Sequence, residues 1–180
     1  MTACVYAAAS NRIDKKYIEI CEELGRQLAL HNMKLIYGAG SSGLMGAVAR
    51  GVRSENGEVI GVTPKFIHEF EPLFPDCTTV IETETMSDRK EIMENNASFF
   101  IIAPGGVGTL DEFFQIVTLM DVGRHNKPII VFNLDGYYTK LLNYLFECSE
   151  LGFINMENLD KIYVADTIED IFAYFEDVKV

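Results

Sequence analysis

SFFIIAPGGVGTLDEFFQIVTLM, residues Ser98 to Met120, holds an apolar run, a glycine-rich turn and a helical pattern in one unbroken piece. The run SFFIIA is too evenly apolar for a strand with one solvated face, and reads as a strand covered on both sides. From Thr109 to Val122 the spacing predicts a helix. A strand passed straight to a helix through glycines is the repeating junction of a parallel sheet layered with helices.

The same alternation extends in both directions. Strand candidates are ACVYAA, KLIY, EVIGV and TTVIE upstream, and KPIIVF and KIYVA downstream. Between them, Tyr17 to His31 carries Ile18, Cys21, Leu24 and Leu28 at helical spacing, with Asn32 as its stop. Leu44 to Ser54, Ser87 to Ala97, Tyr137 to Ser149 and Thr167 to Asp177 predict further helices. No repeat, low-complexity tract or linker interrupts the order. The expectation is α/β: a single doubly wound, Rossmann-like domain over residues 1–180, its parallel sheet of about seven strands covered by helices on both faces. Ligands of such sheets sit at the carboxyl ends of strands, so the junctions after strands are where chemistry is sought.

Composition narrows the partners. Fifteen basic residues against twenty-seven acidic ones give a net charge of −12. Such a chain repels nucleic acid and anionic membrane, and any anion it binds needs a local positive site. Nothing approaches the roughly 18 uninterrupted apolar residues of a membrane span. MTACVYAAASNRIDKK lacks a basic segment ahead of its short apolar run and reads as a strand, which implies a cytoplasmic protein. Cys4, Cys21, Cys77 and Cys148 are scattered, as are His31, His68 and His125, without metal-ligand spacing. No metal and no cofactor is expected.

Three junctions stand out. GAGSSG, Gly38 to Gly43, matches G-x-G-x-x-G between a strand and a helix. Leu44-Met45 stand where an ATPase loop would need Lys-Ser/Thr, and EVIGV ends in Thr63-Pro64 without the acid of a dinucleotide site. Close helix–sheet packing and nucleotide contact both remain open for this loop. In TMSDRKEIME, Ser87 is the expected helix cap, and Arg89 and Lys90 sit at the unfavourable end of the helix dipole, either solvated or facing an anion. In PGGVGTLDE, Gly105, Gly106 and Gly108 allow backbone N–H groups to converge on a phosphate at a helix N-terminus. Thr109 to Glu112 also fits the T-x-x-E capping box, which would give Glu112 a purely structural duty. Asp111 and the glycines are left unexplained by that duty.

Taken together, PGGVGTLDE and MSDRK resemble the PGGxGTxxE and RK motifs of the LOG family, the cytokinin riboside 5′-monophosphate phosphoribohydrolases often labelled lysine decarboxylases. CVYAAAS, LIYGAGSSGLMGAVA, GVTPKF, GRHNKPIIVFNLDGYY and LGFI extend the similarity over nearly the whole chain. The resemblance implies a homodimer that hydrolyses the N-glycosidic bond of adenosine 5′-monophosphate or an N6-substituted relative. It implies Arg89 and Glu112 as the catalytic pair. It also implies nucleotide contacts by Lys90, by Gly105, Gly106, Val107, Gly108, Thr109, Leu110 and Asp111, and by Glu71, Thr118, Gly40 and Ser10. Ser87 stands where members often carry His, and Gln115 where several carry Glu.

For such a reaction Glu112 is expected to stabilise an oxocarbenium-like sugar and to orient or deprotonate water. Beside a helix N-terminus it is expected to hold a low pKa and to be ionised at neutral pH. Arg89 would bind the nucleotide and the leaving base, with water or Asp88 as the source of the proton for that base. The rival from another class is a non-catalytic nucleotide-binding module. Pyridoxal-dependent decarboxylation is disfavoured because Lys90 has no partner set for it. The helix QIVTLMDVG offers either a dimer face or ordinary core.

Overall fold

A computed structural model of the chain describes residues 1–70 and 72–178. The elements in order are β1 (Thr2–Tyr6), α1 (Lys15–Leu30), β2 (Lys34–Tyr37), α2 (Gly43–Ser54), β3 (Val59–Pro64), β4 (Thr79–Thr83), α3 (Met86–Asn96), β5 (Phe99–Ile102) and α4 (Val107–Asp121). They continue as β6 (Ile129–Phe132), α5 (Thr139–Glu150), the one-turn α6 (Met156–Leu159), β7 (Ile162–Ala165) and α7 (Ile168–Val178). Every strand and long helix expected from the periodicity is present. The 3-10 turns Lys65–Glu69 and Leu134–Gly136, and α6, were not expected. Among the described residues, no helix is long and apolar enough to cross a membrane.

The seven strands form one parallel sheet in the order β4-β3-β2-β1-β5-β6-β7. Its central strands are buried on both faces, which is why their sequences do not alternate. Ala3 and Val5 of β1 join the layer under α1, α2 and α7, with Leu24, Val48 and Phe172. Cys4 and Tyr6 face the other way, into the layer under α3, α4 and α5 with Met93, Phe113 and Leu145. Burial of each large side chain there contributes about 1.5–3 kcal/mol. The chain works outward from β1 to β4 on one side, then returns to place β5 on β1's other edge. The connections after β1 and β5 therefore diverge to opposite faces, and the crevice between them is the switch point of the sheet.

Two helix starts differ from expectation. Helix α3 is capped by Thr85, not Ser87: the Asp88 N–H donates to Thr85 Oγ1 at 3.1 Å and the Thr85 N–H to Asp88 Oδ2 at 3.2 Å. The T-x-x-D pair closes both ends of a capping box, and a cap at Ser87 could not do so with the residue three positions on, Lys90. Helix α4 starts at Val107, with Gly106 at its cap and no side-chain cap bond. Thr109 and Glu112 therefore lie inside the helix, and the expected capping box between them does not form. Asn32 does end α1 in the left-handed region, at φ 57°.

Candidate active site

At the switch point, a cleft of about 320 Å³ opens between the loop after β1, the start of α3 and the start of α4. Its floor is an ion pair. Arg89 Nη1 lies 3.2 Å from Glu112 Oε1, the two side chains being 11% and 10% exposed. Next to it Lys90 Nζ lies 3.0 Å from Asp111 Oδ2, nearer solvent. The consecutive cations of α3 thus meet the consecutive carboxylates of α4, and neither is the solvated pair that the sequence left open. The pairing also gives Asp111 a partner, which the capping box left unexplained.

Arg89 is held from three sides. Its Nε donates to Val62 O at the end of β3, at 3.1 Å. Its Nη2 lies directly over Gly38, where a Cβ would overlap it. This close approach is what the first glycine of GAGSSG makes possible. The rest of that loop is consumed by the protein itself. The Gly43 N–H donates to Asn11 Oδ1 at 3.0 Å, and the N–H groups of Leu44 and Met45 both donate to Ala8 O, at 2.8 and 3.2 Å. Gly40 is buried and bridges Leu73. The start of α2 is therefore closed to an anion, and packing accounts for this loop.

The start of α4 is different. Its first intrahelical bond runs from the Leu110 N–H to Gly106 O, so Val107, Gly108 and Thr109 present N–H groups ahead of it. A Cβ on Gly106 or Gly108 would meet nothing within 4 Å, so internal packing does not require glycine at either position. At Gly105 it would strike the Thr109 side chain, which is turned inward and buried. Tyr137 Oη donates to Gly105 O at 2.9 Å and Tyr138 Oη to Ala103 O at 2.8 Å, pinning the turn from behind. Both tyrosines close the GRHNKPIIVFNLDGYY segment after the end of β6, and the sequence reading gives neither a role at the site. Met45 and Met86, to which the sequence reading gives no contact role, also line the cleft.

Burial sets the electrostatics of Glu112. It pushes the carboxyl up to about 7, against the downward pull of Arg89; Asp111 adds an upward push and Lys90 a downward one. This raised value departs from the expectation of a low one: burial, foremost, lifts it, and a helix starting at Val107 places Glu112 more than a turn beyond the positive end. Glu94 of α3 is raised as well, chiefly by burial, while the side chain of Gln115 hydrogen-bonds to it at 2.5 Å.

Most of the residues expected to act together do converge. Ser10 lines the cleft and accepts from the Arg12 N–H at 3.2 Å. Arg89, Gly106, Gly108, Thr109, Asp111 and Glu112 line it too, and Lys90 joins them through Asp111. Val107 is 85% exposed at the mouth and Leu110 packs against the core beneath. Thr118 is elsewhere: it lines a separate 200 Å³ cavity under α5, and its hydroxyl donates to Phe114 O at 2.7 Å. Gly40 lies in the closed loop, and Glu71 is outside the described residues.

Comparison with known proteins gives consistent likenesses. The family model described as "Possible lysine decarboxylase" matches residues 45–175. A cytokinin riboside 5′-monophosphate phosphoribohydrolase of Arabidopsis thaliana is 35% identical over 174 residues, covering 97% of this chain and 81% of the relative. An enzyme of that name from Mycobacterium tuberculosis is 36% identical over 169 residues, covering 94% of this chain and 90% of its own. Among solved structures, the molybdenum cofactor binding protein of Rippkaea orientalis superposes with a TM-score of 0.76 at 20% identity, over 99% of this chain and 97% of that one. The molybdenum cofactor carrier protein of Chlamydomonas reinhardtii gives 0.74 at 19%, over 98% and 96%. At such identities these two structures share the fold.

Proposed function

Because the chain belongs to the LOG family, we propose that it is a phosphoribohydrolase acting on adenosine 5′-monophosphate or its N6-substituted, cytokinin-type relatives, releasing the free base and ribose 5-phosphate. One observation carries the reading: a buried Arg–Glu pair lies in the same cleft as an open helix N-terminus. The N–H groups of Val107, Gly108 and Thr109 hold the phosphate, assisted by the helix dipole and by Lys90. That remote binding energy positions the anomeric carbon against Glu112.

As the bond between C1′ and the base nitrogen breaks, its electron pair leaves with the base and positive charge grows on the sugar. The Glu112 carboxylate stabilises that charge and takes a proton from the attacking water, whose oxygen bonds to C1′. Its raised pKa suits it to this duty, since a base works best when its pKa lies near the operating pH. Arg89 turns toward the base and stabilises the charge it acquires. Asp88 is committed to the α3 cap, which favours water in the open cleft as the proton source for the leaving base.

We also propose a homodimer, supported by the exposed Phe114 of α4 and Val122 just past its end, and by Phe146, Leu151 and Phe153 around the end of α5. Light scattering would test it, a monomer at working concentration refuting it.

The deciding assay incubates the protein with adenosine 5′-monophosphate, its N6-isopentenyl derivative and adenosine, and looks for free base and ribose 5-phosphate. Release from the monophosphates, and poor reaction of adenosine, is expected. Binding without turnover would turn the reading into that of a nucleotide-binding module.

A further inference from the structure

We propose that His125 and Lys127 are positioning residues, which together tie α3 to α4 one helical turn beyond the Arg89–Glu112 pair and so help to set the separation at which that pair meets a substrate. The proposal rests on the reading of the pair as the reacting groups. Both residues belong to the GRHNKP turn between α4 and β6, to which neither the phosphate site nor the ion pair gives a duty.

Helices α1 and α2 lie close along their length, and Gly25 and Gly51 admit the backbone of the opposite helix where a Cβ would strike it. Helices α3 and α4 have no comparable backbone contact, and side chains span the space between them. The rungs are Arg89–Glu112, Lys90–Asp111, and the bond from Gln115 Nε2 to Glu94 Oε1. Beyond the last rung, the turn ties the main chains of both helices. Lys127 Nζ donates to Glu94 O at 2.6 Å and to Asn95 O at 3.3 Å. These carbonyls lie in the last turn of α3, where no amide of the helix reaches them. His125 reaches the other helix. Its Nδ1 accepts from the Lys127 N–H at 3.2 Å, so in the neutral ring Nε2 carries the proton and donates to Ile116 O at 2.8 Å. Burial lowers the pKa of the imidazole and favours that neutral form.

Ile116 lies four residues after Glu112 and Glu94 four after Lys90, each one turn along the same helix face. The tie therefore grips both helices next to the groups that meet across the gap. Close backbone packing does not fix their distance; the apolar layer holding Met93 and Ile116 and the His125–Lys127 tie do. A misplacement of about 1 Å at the pair is enough to cost about 10²-fold in rate.

The test compares two replacements of His125, both of which lose the ring's contact with Phe100. In His125→Gln the amide nitrogen takes the place of Nε2 and keeps the bond to Ile116 O. In His125→Asn the amide oxygen takes the place of Nδ1, which keeps the turn at Lys127 and releases α4. Water then enters between the helices. The Glu112 carboxyl, held up chiefly by burial, should fall by about one unit toward its ordinary value, read by NMR of its carboxyl carbon in the ligand-free protein. The kcat for adenosine 5′-monophosphate should drop about 10- to 100-fold. KM should change little, because the N–H groups that hold the phosphate all belong to α4. His125→Gln should stay near wild type in both readouts. Lys127→Met should reproduce the Asn variant, and Lys127→Arg, whose guanidinium can donate to the same two carbonyls, should restore function. A purely structural tie would lower the melting temperature and leave titration and kcat unchanged in the folded variants; that result overturns the proposal, as does an equal loss in the Asn and Gln variants. Should His125→Asn not fold, the Lys127 pair decides by the same readouts. Absence of base release by the wild type would sink the functional reading alone, leaving the titration to decide this one.

Discussion

Arg89 Nη1 and Glu112 Oε1 lie 3.2 Å apart between α3 and α4, and burial nevertheless pushes the carboxyl up to about 7. Burial outweighs the attraction of the partner. A buried ion pair with that balance is poor at stabilising a fold and well placed for chemistry, since its members carry charges that a substrate can draw apart.

If Glu112 meets the anomeric carbon, Glu112→Gln keeps the shape but removes the charge that faces Arg89. Activity should drop by at least about 10²–10³-fold, with little change in the affinity for adenosine 5′-monophosphate. Steady-state kinetics together with calorimetric titration would check it. A variant with near wild-type turnover would remove Glu112 from the reaction.

The same residue gives a pH dependence of definite sign. Glu112 must be ionised to act as a base, so kcat/KM should rise with pH through an apparent pKa near 7. For stability the order is reversed. A carboxyl whose folded pKa is raised binds more protons folded than unfolded between about 4.5 and 7, so its ionisation works against the fold as pH climbs through that window. At about 1.4 kcal/mol per unit, the stability of wild type relative to Glu112→Gln should fall by about 2–3 kcal/mol between about pH 4.5 and pH 8. Urea melts of both proteins at the two pH values measure it, and parallel stabilities would contradict the raised pKa.

This burial was not legible in the sequence, while most of the fold was. The strands β1, β5 and β6 are apolar runs of a length that only a doubly covered sheet explains, and α1 declares itself through Cys21, Leu24 and Leu28. The start of α4 departs from its expected place because local preference favours Thr109 as a cap, whereas Gly105 leaves room for the Thr109 side chain to turn inward and the helix begins at Val107. Tertiary packing overrode propensity there. The Arg89–Glu112 and Lys90–Asp111 pairings required knowing that α3 and α4 lie side by side, which no local pattern encodes. The open start of α4 and the closed start of α2 both follow glycine-rich turns, and what separates them includes what Asn11 and Ala8 do across the crevice, which the sequence does not show.

Gly38→Ala tests whether the position of Arg89 matters apart from its charge. The added methyl would overlap the guanidinium, which must move off its bonds to Val62 O and Glu112. Hydrolysis should fall at least about tenfold while circular dichroism stays native, since a small misplacement of a catalytic group is costly. Unchanged kinetics would mean that Arg89 works from another position.

Gly108→Ala separates ligand binding from folding by giving them opposite signs. The position lies in the first turn of α4, and a methyl group added there would have nothing within 4 Å, so the fold has no steric objection. Alanine also loses less conformational freedom than glycine on entering a helix, and the variant should be more stable by about 0.5–1 kcal/mol. A phosphate lying against the N–H groups of Val107, Gly108 and Thr109 would occupy the same space as the methyl. KM for adenosine 5′-monophosphate should therefore rise at least about tenfold, whereas the slow reaction of adenosine, which has no phosphate to exclude, should be unaffected. Chemical denaturation and a comparison of the two substrates measure both effects. A stabilised variant with unaltered KM would place the phosphate away from α4, and with it the geometry that brings C1′ to Glu112.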